Sequence, residues 1–192
     1  MTRQPKCRQT DMQSKLIACC ITVFAATACG TSQPGADVST APNFDQITGQ
    51  YPEQPAGIPG EAIAPIGSCV SLEGPREKPS LKVVDCGSPA NGYKVIQRVS
   101  MPDQCVKDAE QRFYLDTPDG GFAACLDYAW STKDCLSIGK VSVVRAACND
   151  NTAPRREKPI SIVYDTQTAG VCPTGGFAHP IRRFTICTEP QH

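Results

Sequence analysis

Histidine and tryptophan are scarce in this 192-residue chain, with two histidines and one tryptophan, and aromatics make up only 6% of the residues. His192 is the last residue, and His179 precedes Pro180 in a Gly-rich stretch, where a solvated loop side chain is expected. That leaves no visible nucleophile–base pair of the Ser-His-Asp kind. No Gly-x-Ser-x-Gly, His-Glu-x-x-His or Gly-rich phosphate loop is present. Neither sign of charge dominates, with 19 basic and 19 acidic side chains. A nucleic-acid partner, which needs a basic face, is therefore not expected. The apolar run Leu16 to Ala28 falls short of the roughly 20 residues that span a bilayer as a helix.

That run suits the h-region of a signal peptide, with Lys15 as its preceding charge. It ends in Ala26-Thr27-Ala28-Cys29-Gly30, small residues followed by cysteine, the pattern of a lipobox. Residues 1–28 are read as a leader and Cys29 as a lipid-anchored N-terminus, acylated on its thiol. The expected location is the cell membrane, on its extracytoplasmic face. Met12 offers a more usual leader start than Met1, because Arg3, Lys6, Arg8 and Asp11 make an unusually polar lead. Removing Arg3, Lys6, Arg8, Lys15 and Asp11 takes the 19 basic and 19 acidic side chains to 15 and 18.

Thr31 to Pro65 carries six prolines among Gly, Ser, Thr and Gln, and no apolar period. Such a segment buries too little apolar surface to offset its ordering entropy. Residues 29–65 are accordingly expected to be a disordered, partly extended tether.

Cysteine is abundant, at 12 residues. Eight lie beyond Cys29 and form two sets of four: Cys69, Cys86, Cys105, Cys125, then Cys135, Cys148, Cys172, Cys187. Counterparts are offset by 66, 62, 67 and 62 residues. Cys69-Val-Ser-Leu matches Cys135-Leu-Ser-Ile, and Phe122-Ala-Ala-Cys125 matches Phe184-Thr-Ile-Cys187. The spacing reads as duplication of a small module, with copies at 66–130 and 131–190. No Cys-x-x-Cys occurs after Cys29, which disfavours zinc ribbons and thioredoxin-like exchange. Neither a metal nor a cofactor is expected.

Eight cysteines allow 105 pairings. Duplication narrows them, because equivalent positions should pair alike. First with second and third with fourth gives Cys69–Cys86, Cys105–Cys125, Cys135–Cys148 and Cys172–Cys187. The first two of each copy sit on short apolar runs that can pair as neighbouring strands.

The expected fold class is α+β with β dominant: a disulfide-stapled, duplicated β-β-β-α-β-like module whose helix is lost in the second copy. Strands are expected at Gly67–Leu72, Leu81–Val84, Tyr93–Val99 and Phe122–Leu126, and again at Asp134–Ile138, Val141–Ala147, Ile160–Tyr164 and Arg183–Thr188. In the third strand Tyr93, Val95 and Val99 share a face, with Gln97 the exception. Pro102–Leu115 reads as a helix, since Val106, Ala109 and Phe113 recur at helical spacing and Pro102 sits in the first turn.

The remaining polar groups read blandly. Asp116, Asp119, Asp127 and Asp134 are expected as solvated loop acids. Arg155, Arg156, Lys158, Arg182 and Arg183 are expected as loop and edge-strand charges. Tyr128 and Trp130 are expected to pack at the junction of the two copies.

Gly67, Cys69, Val70, Val84, Cys86, Tyr93, Lys94, Val95, Cys105, Cys125 and Leu126, with the lipobox and Pro-rich spacer, resemble the actinobacterial LppU-type lipoproteins. The cysteine pattern is also similar to septum-formation-type extracytoplasmic domains. The resemblance covers about 66–130 and is weak over the second copy. It implies a lipoprotein of a mycobacterial or Gram-positive-type cell envelope, and no particular activity. The functional expectation is a membrane-anchored, non-enzymatic binding or interaction module. The alternative is a carrier holding a small or lipidic ligand in a cavity between the modules. The expected partners are the membrane, through the acyl anchor, and an envelope protein or lipid.

Overall fold

The computed structural model describes residues 41–75, 78–140 and 142–192. The expected leader, the expected anchor at Cys29 and residues 30–40 of the expected tether lie outside the described residues. The described chain forms two antiparallel sheets of five strands. The first comprises β1 (Cys69–Glu73), β2 (Ser80–Val83), β3 (Tyr93–Val99), β4 (Gln111–Leu115) and β5 (Phe122–Tyr128). The second comprises β6 (Cys135–Ile138), β7 (Val143–Ala146), β8 (Arg156–Tyr164), β9 (Gly176–His179) and β10 (Phe184–Gln191). Their strand orders are β2-β1-β3-β5-β4 and β7-β6-β8-β10-β9, the same order twice. The fold is thus a β-dominant, disulfide-stapled duplication.

The four disulfides are Cys69–Cys86, Cys105–Cys125, Cys135–Cys148 and Cys172–Cys187. They are the pairs that equivalence of the two copies predicts. Their Cα separations of 5.0–5.6 Å fall in the usual range for a disulfide. In each copy one bridge closes the first hairpin, and the other ties the segment after the third strand to the last strand.

The helix expected over Pro102–Leu115 is absent. Only a single 3-10 turn, Pro102–Gln104, forms there, and Gln111–Leu115 is strand β4. The apolar recurrence at 106, 109 and 113 competes with a strand alternation in which Phe113 is buried and Arg112 and Tyr114 are exposed. The strand wins because β5 would otherwise carry an unpaired edge against the core. β4 pairs with β5 from Gln111–Leu126 to Leu115–Phe122. The second copy has not lost this feature: a 3-10 turn at Ala169–Val171 precedes Cys172, and β9 pairs with β10 as β4 does with β5.

A β-bulge overturns the expected shared face of Tyr93, Val95 and Val99 and accounts for Gln97. The β3–β5 register shifts between Val95 and Gln97, so the extra residue, Ile96, reverses the side-chain parity. Tyr93 and Val95 belong to the main core, whereas Ile96 and Val99 pack with Cys105, Ala123 and Cys125 on the other side. The same bulge recurs in the second copy. There Cys187 pairs with Ser161 and Thr188 with Pro159, leaving Ile160 as the extra residue. Structural equivalence therefore sets Tyr93-Lys94-Val95-Ile96 against Glu157-Lys158-Pro159-Ile160.

The two sheets share one core, which includes Val95 and Leu126 of the first sheet and Leu136 and Ile186 of the second. They form a single compact unit. Gly92 marks their closest approach, where a Cβ would collide with the Val143 carbonyl. Arg145 N–H donates to Pro89 O at 3.0 Å nearby.

Residues 41–65 belong to the same unit and correct the expectation of a disordered tether there. Phe44, Ile47 and Ala64 are at most 5% exposed and join the shared core. Gln97 Nε2 donates to Glu53 O at 2.8 Å, and Arg98 Nη1 to Ala64 O at 3.0 Å. The prolines suppress regular structure without preventing a few apolar side chains from docking. Phe44→Ala should therefore cost about 3 kcal/mol in a denaturant melt. A change indistinguishable from wild type would show that this strap does not contribute to the core.

Candidate functional site

Three groups of polar residues stand out, and the first is internal. Arg182, in the β9–β10 turn, was expected as an exposed charge, yet its side chain is only 4% exposed. All five of its guanidinium donors find acceptors. Nε donates to Asp108 Oδ1 at 2.8 Å, and Nη1 to Asp127 Oδ2 at 2.7 Å and Gln50 O at 2.9 Å. Nη2 donates to Asp127 Oδ1 at 3.0 Å and Asp108 O at 2.9 Å. The backbone N–H groups of Ile181 and Arg182 complete the cage on Asp108 Oδ2.

Burial alone would raise the Asp108 carboxyl, but hydrogen bonds and charge from Arg182 outweigh it and hold it below the usual range. Burial opposes charge on Arg182, and Asp127 and Asp108 reverse that and raise it. Asp127 is thus a buried ion-pair partner, not a solvated loop acid. The cluster binds the strap, the first sheet and the second sheet to one another, and its donors are saturated.

The second group surrounds His179, which lies on β9 and is 1% exposed, not solvated in a loop. Its ring stacks on Phe184 with centroids 4.3 Å apart, and Nε2 is 3.2 Å from Glu110 Oε1. Tyr128, Trp130 and Phe177 pack beside one another at the sheet junction, with centroids 5.0–5.8 Å apart. This is the inter-copy packing expected of Tyr128 and Trp130. Tyr93, which burial pushes up to about 12 with help from Tyr128 and Glu110, adjoins Tyr128.

The other expected surface groups divide. Arg156 is 4% exposed and donates to Asn151 Oδ1 and Gln191 O. Arg155, Lys158 and Arg183 are exposed. Asp116 accepts from Tyr114 OH at 2.7 Å, and Asp119 is solvated.

The third group is open to ligand. A cleft of about 390 Å³ lies where strap, first copy and second copy meet. Asp45, the Cys69–Cys86 bridge, Lys94, Trp130, Asp134 and Arg145 contribute to its walls. Lys94 comes from β3 and Arg145 from β7, so the cleft exists only because the copies are docked. Lys94 went unnoticed as a site residue, since a lone lysine in a half-apolar strand carries no signal of its own. Among the described residues no three His, Cys, Asp or Glu side chains converge in a metal-ligating group.

Comparison with family models, curated proteins and solved structures finds no match for this chain.

The Arg182 cluster yields a stability prediction. Arg182→Leu leaves two carboxylates buried without their partner and should cost about 3–5 kcal/mol. Arg182→Lys should not restore it, because one ammonium cannot reach the five acceptors. The depressed Asp108 value makes its contribution complete above the ordinary aspartate range, near pH 3.9. That contribution fades as pH falls through the lower folded value. Urea midpoints measured from about pH 6 down to about pH 3 should therefore fall less steeply in Asp108→Asn than in wild type. Equal slopes would contradict the assignment.

Proposed function

We propose that this chain is a membrane-tethered, non-enzymatic binding module of the cell envelope, a lipoprotein of the LppU type anchored through Cys29. The cleft at the junction of the two copies carries the binding reading, because it is the place where buried cationic side chains face open space. Four disulfides in one small unit fit an oxidising, extracytoplasmic compartment, and that agrees with the lipobox.

The buried carboxylates and the buried histidine support the non-enzymatic reading. Asp108 and Asp127 are consumed by Arg182, and His179 is shut away against Phe184 and Glu110. A general acid or base must reach a reacting atom, and these groups face one another.

The alternative, a carrier with its ligand between the modules, gains from the position of the same cleft. Its charged walls favour a small polar ligand over an acyl chain, because apolar surface gains little beside ionised groups.

Cell fractionation tests the tethered reading. The full chain should partition with membranes and incorporate labelled palmitate, and Cys29→Ala should release it from the membrane fraction. Unchanged partitioning and labelling in Cys29→Ala would overturn the anchor assignment.

A further inference from the structure

We propose that the junction cleft binds a small oxyanion, a carboxylate or phosphate group, between Lys94 and Arg145. This rests on the binding-module reading and names the ligand chemistry of that same site.

The argument begins with unmet hydrogen-bonding capacity. An ammonium carries three donors and no acceptor. Lys94 is nine-tenths buried, with its side chain 10% exposed. Its Nζ makes one long contact, 3.4 Å to Asp45 O, and stands 4.0 Å from Asp45 Oδ1. The Asp45 side chain is itself 90% exposed, so it is a solvated and weak counter-ion. The Arg145 side chain is 7% exposed and engages Asp134 Oδ2 at 3.3 Å, Ala129 O at 2.8 Å and the Asn91 side-chain oxygen at 3.1 Å. Its Nε has no protein partner but is fully covered, whereas Nη1 bonds only Asp134 and keeps one N–H free. Two buried cations thus line one cleft with donors to spare.

Their mutual effect is unfavourable without a ligand. Burial lowers the Lys94 value; Asp45 pulls it back, the Arg145 charge pushes it down by less than that, and Asp127 adds a smaller opposing pull. An anion between them would offset the cost of burial and screen the repulsion between the two cations. Lys133 on the rim adds a third cation, against Asp45 and Asp134.

The duplication supplies an internal control. Lys158 is the structural equivalent of Lys94 and is solvent-exposed. The position equivalent to Arg145 in the first copy is Val83, an exposed hydrophobic. The fold therefore does not require a buried lysine facing an arginine. The pair is particular to this junction. Inorganic phosphate and acetate carry the shared chemistry of a free ligand, and an anionic lipid headgroup carries it on a surface.

The single tryptophan, Trp130, lines the cleft and serves as the reporter. Its emission in the full chain is titrated with inorganic phosphate, acetate, neutral diacetylchitobiose, and phosphatidylcholine vesicles with and without phosphatidylglycerol. A saturable response to phosphate or acetate, with its midpoint raised at least tenfold in Lys94→Met and in Arg145→Met and less than twofold in Lys158→Met, supports a soluble oxyanion. The same variant pattern seen with phosphatidylglycerol vesicles alone supports the headgroup as its source. Circular dichroism and thermal melts of each variant identify any loss that is merely unfolding, and Lys94→Gln then replaces a misfolded Lys94→Met. Equal midpoints in wild type and Lys94→Met overturn the proposal. A response only to diacetylchitobiose, unchanged by the variants, overturns the oxyanion and leaves the binding module standing. Silence to every probe overturns both for this cleft.

Discussion

The arrangement depends on one guanidinium that has been taken out of water. Arg182 brings all five donors to acceptors on Asp108, Asp127 and Gln50. A buried ion cluster of this kind is weak evidence for net stability, because desolvation consumes most of the Coulombic gain. Its value lies in geometry. A bidentate fork on Asp127, with Asp108 on the third nitrogen, tolerates little change of angle. The partners lie 74 and 55 residues from Arg182 in sequence, so the cluster forms only when strap and both sheets have assembled. It selects one docking of the two copies, and the cleft between Lys94 and Arg145 follows from that docking.

The disulfides act differently. Their loops close over 13–20 residues, each restricting the unfolded chain by about 3 kcal/mol in the chain-entropy view. They stabilise each copy internally, since none joins one copy to the other. Contact between copies is left to the shared core, the Arg182 cluster and the strap. A module of about 60 residues has a thin core of its own, which explains why two copies and a packed strap combine into one unit. The duplicated bulges at Ile96 and Ile160 lie across from the half-cystines Cys125 and Cys187. The bulge and the staple are thus inherited together.

Much of the framework was legible in the chain. Cysteine spacing defined the duplication and the pairing, because equivalent positions must bond alike, and short apolar runs between Gly and Pro marked eight strands. β4 and β9 escaped. Val106, Ala109 and Phe113 imitate a helical period that an unpaired edge of β5 overrides, and Gly176–His179 is short and Gly-led. Parity around Ile96 was unreadable because a bulge alters alternation without leaving a residue-type signal. The strap was misread for a related reason: its prolines dominate its composition, while three apolar side chains decide its packing. Arg182 looked like any loop cation, since nothing local announces partners so distant in sequence. The cleft was invisible for the same reason, being assembled from two strands of different copies.

Native-state hydrogen exchange on the full chain tests the central claim most directly, because it reports whether strap and sheets open together or apart. If Arg182 unites them, the amides of Gln50 in the strap, Leu126 in β5 and Ile186 in β10 will exchange through one opening of common free energy and common denaturant dependence. An opening of lower energy that exposes one sheet or the strap alone would contradict that claim.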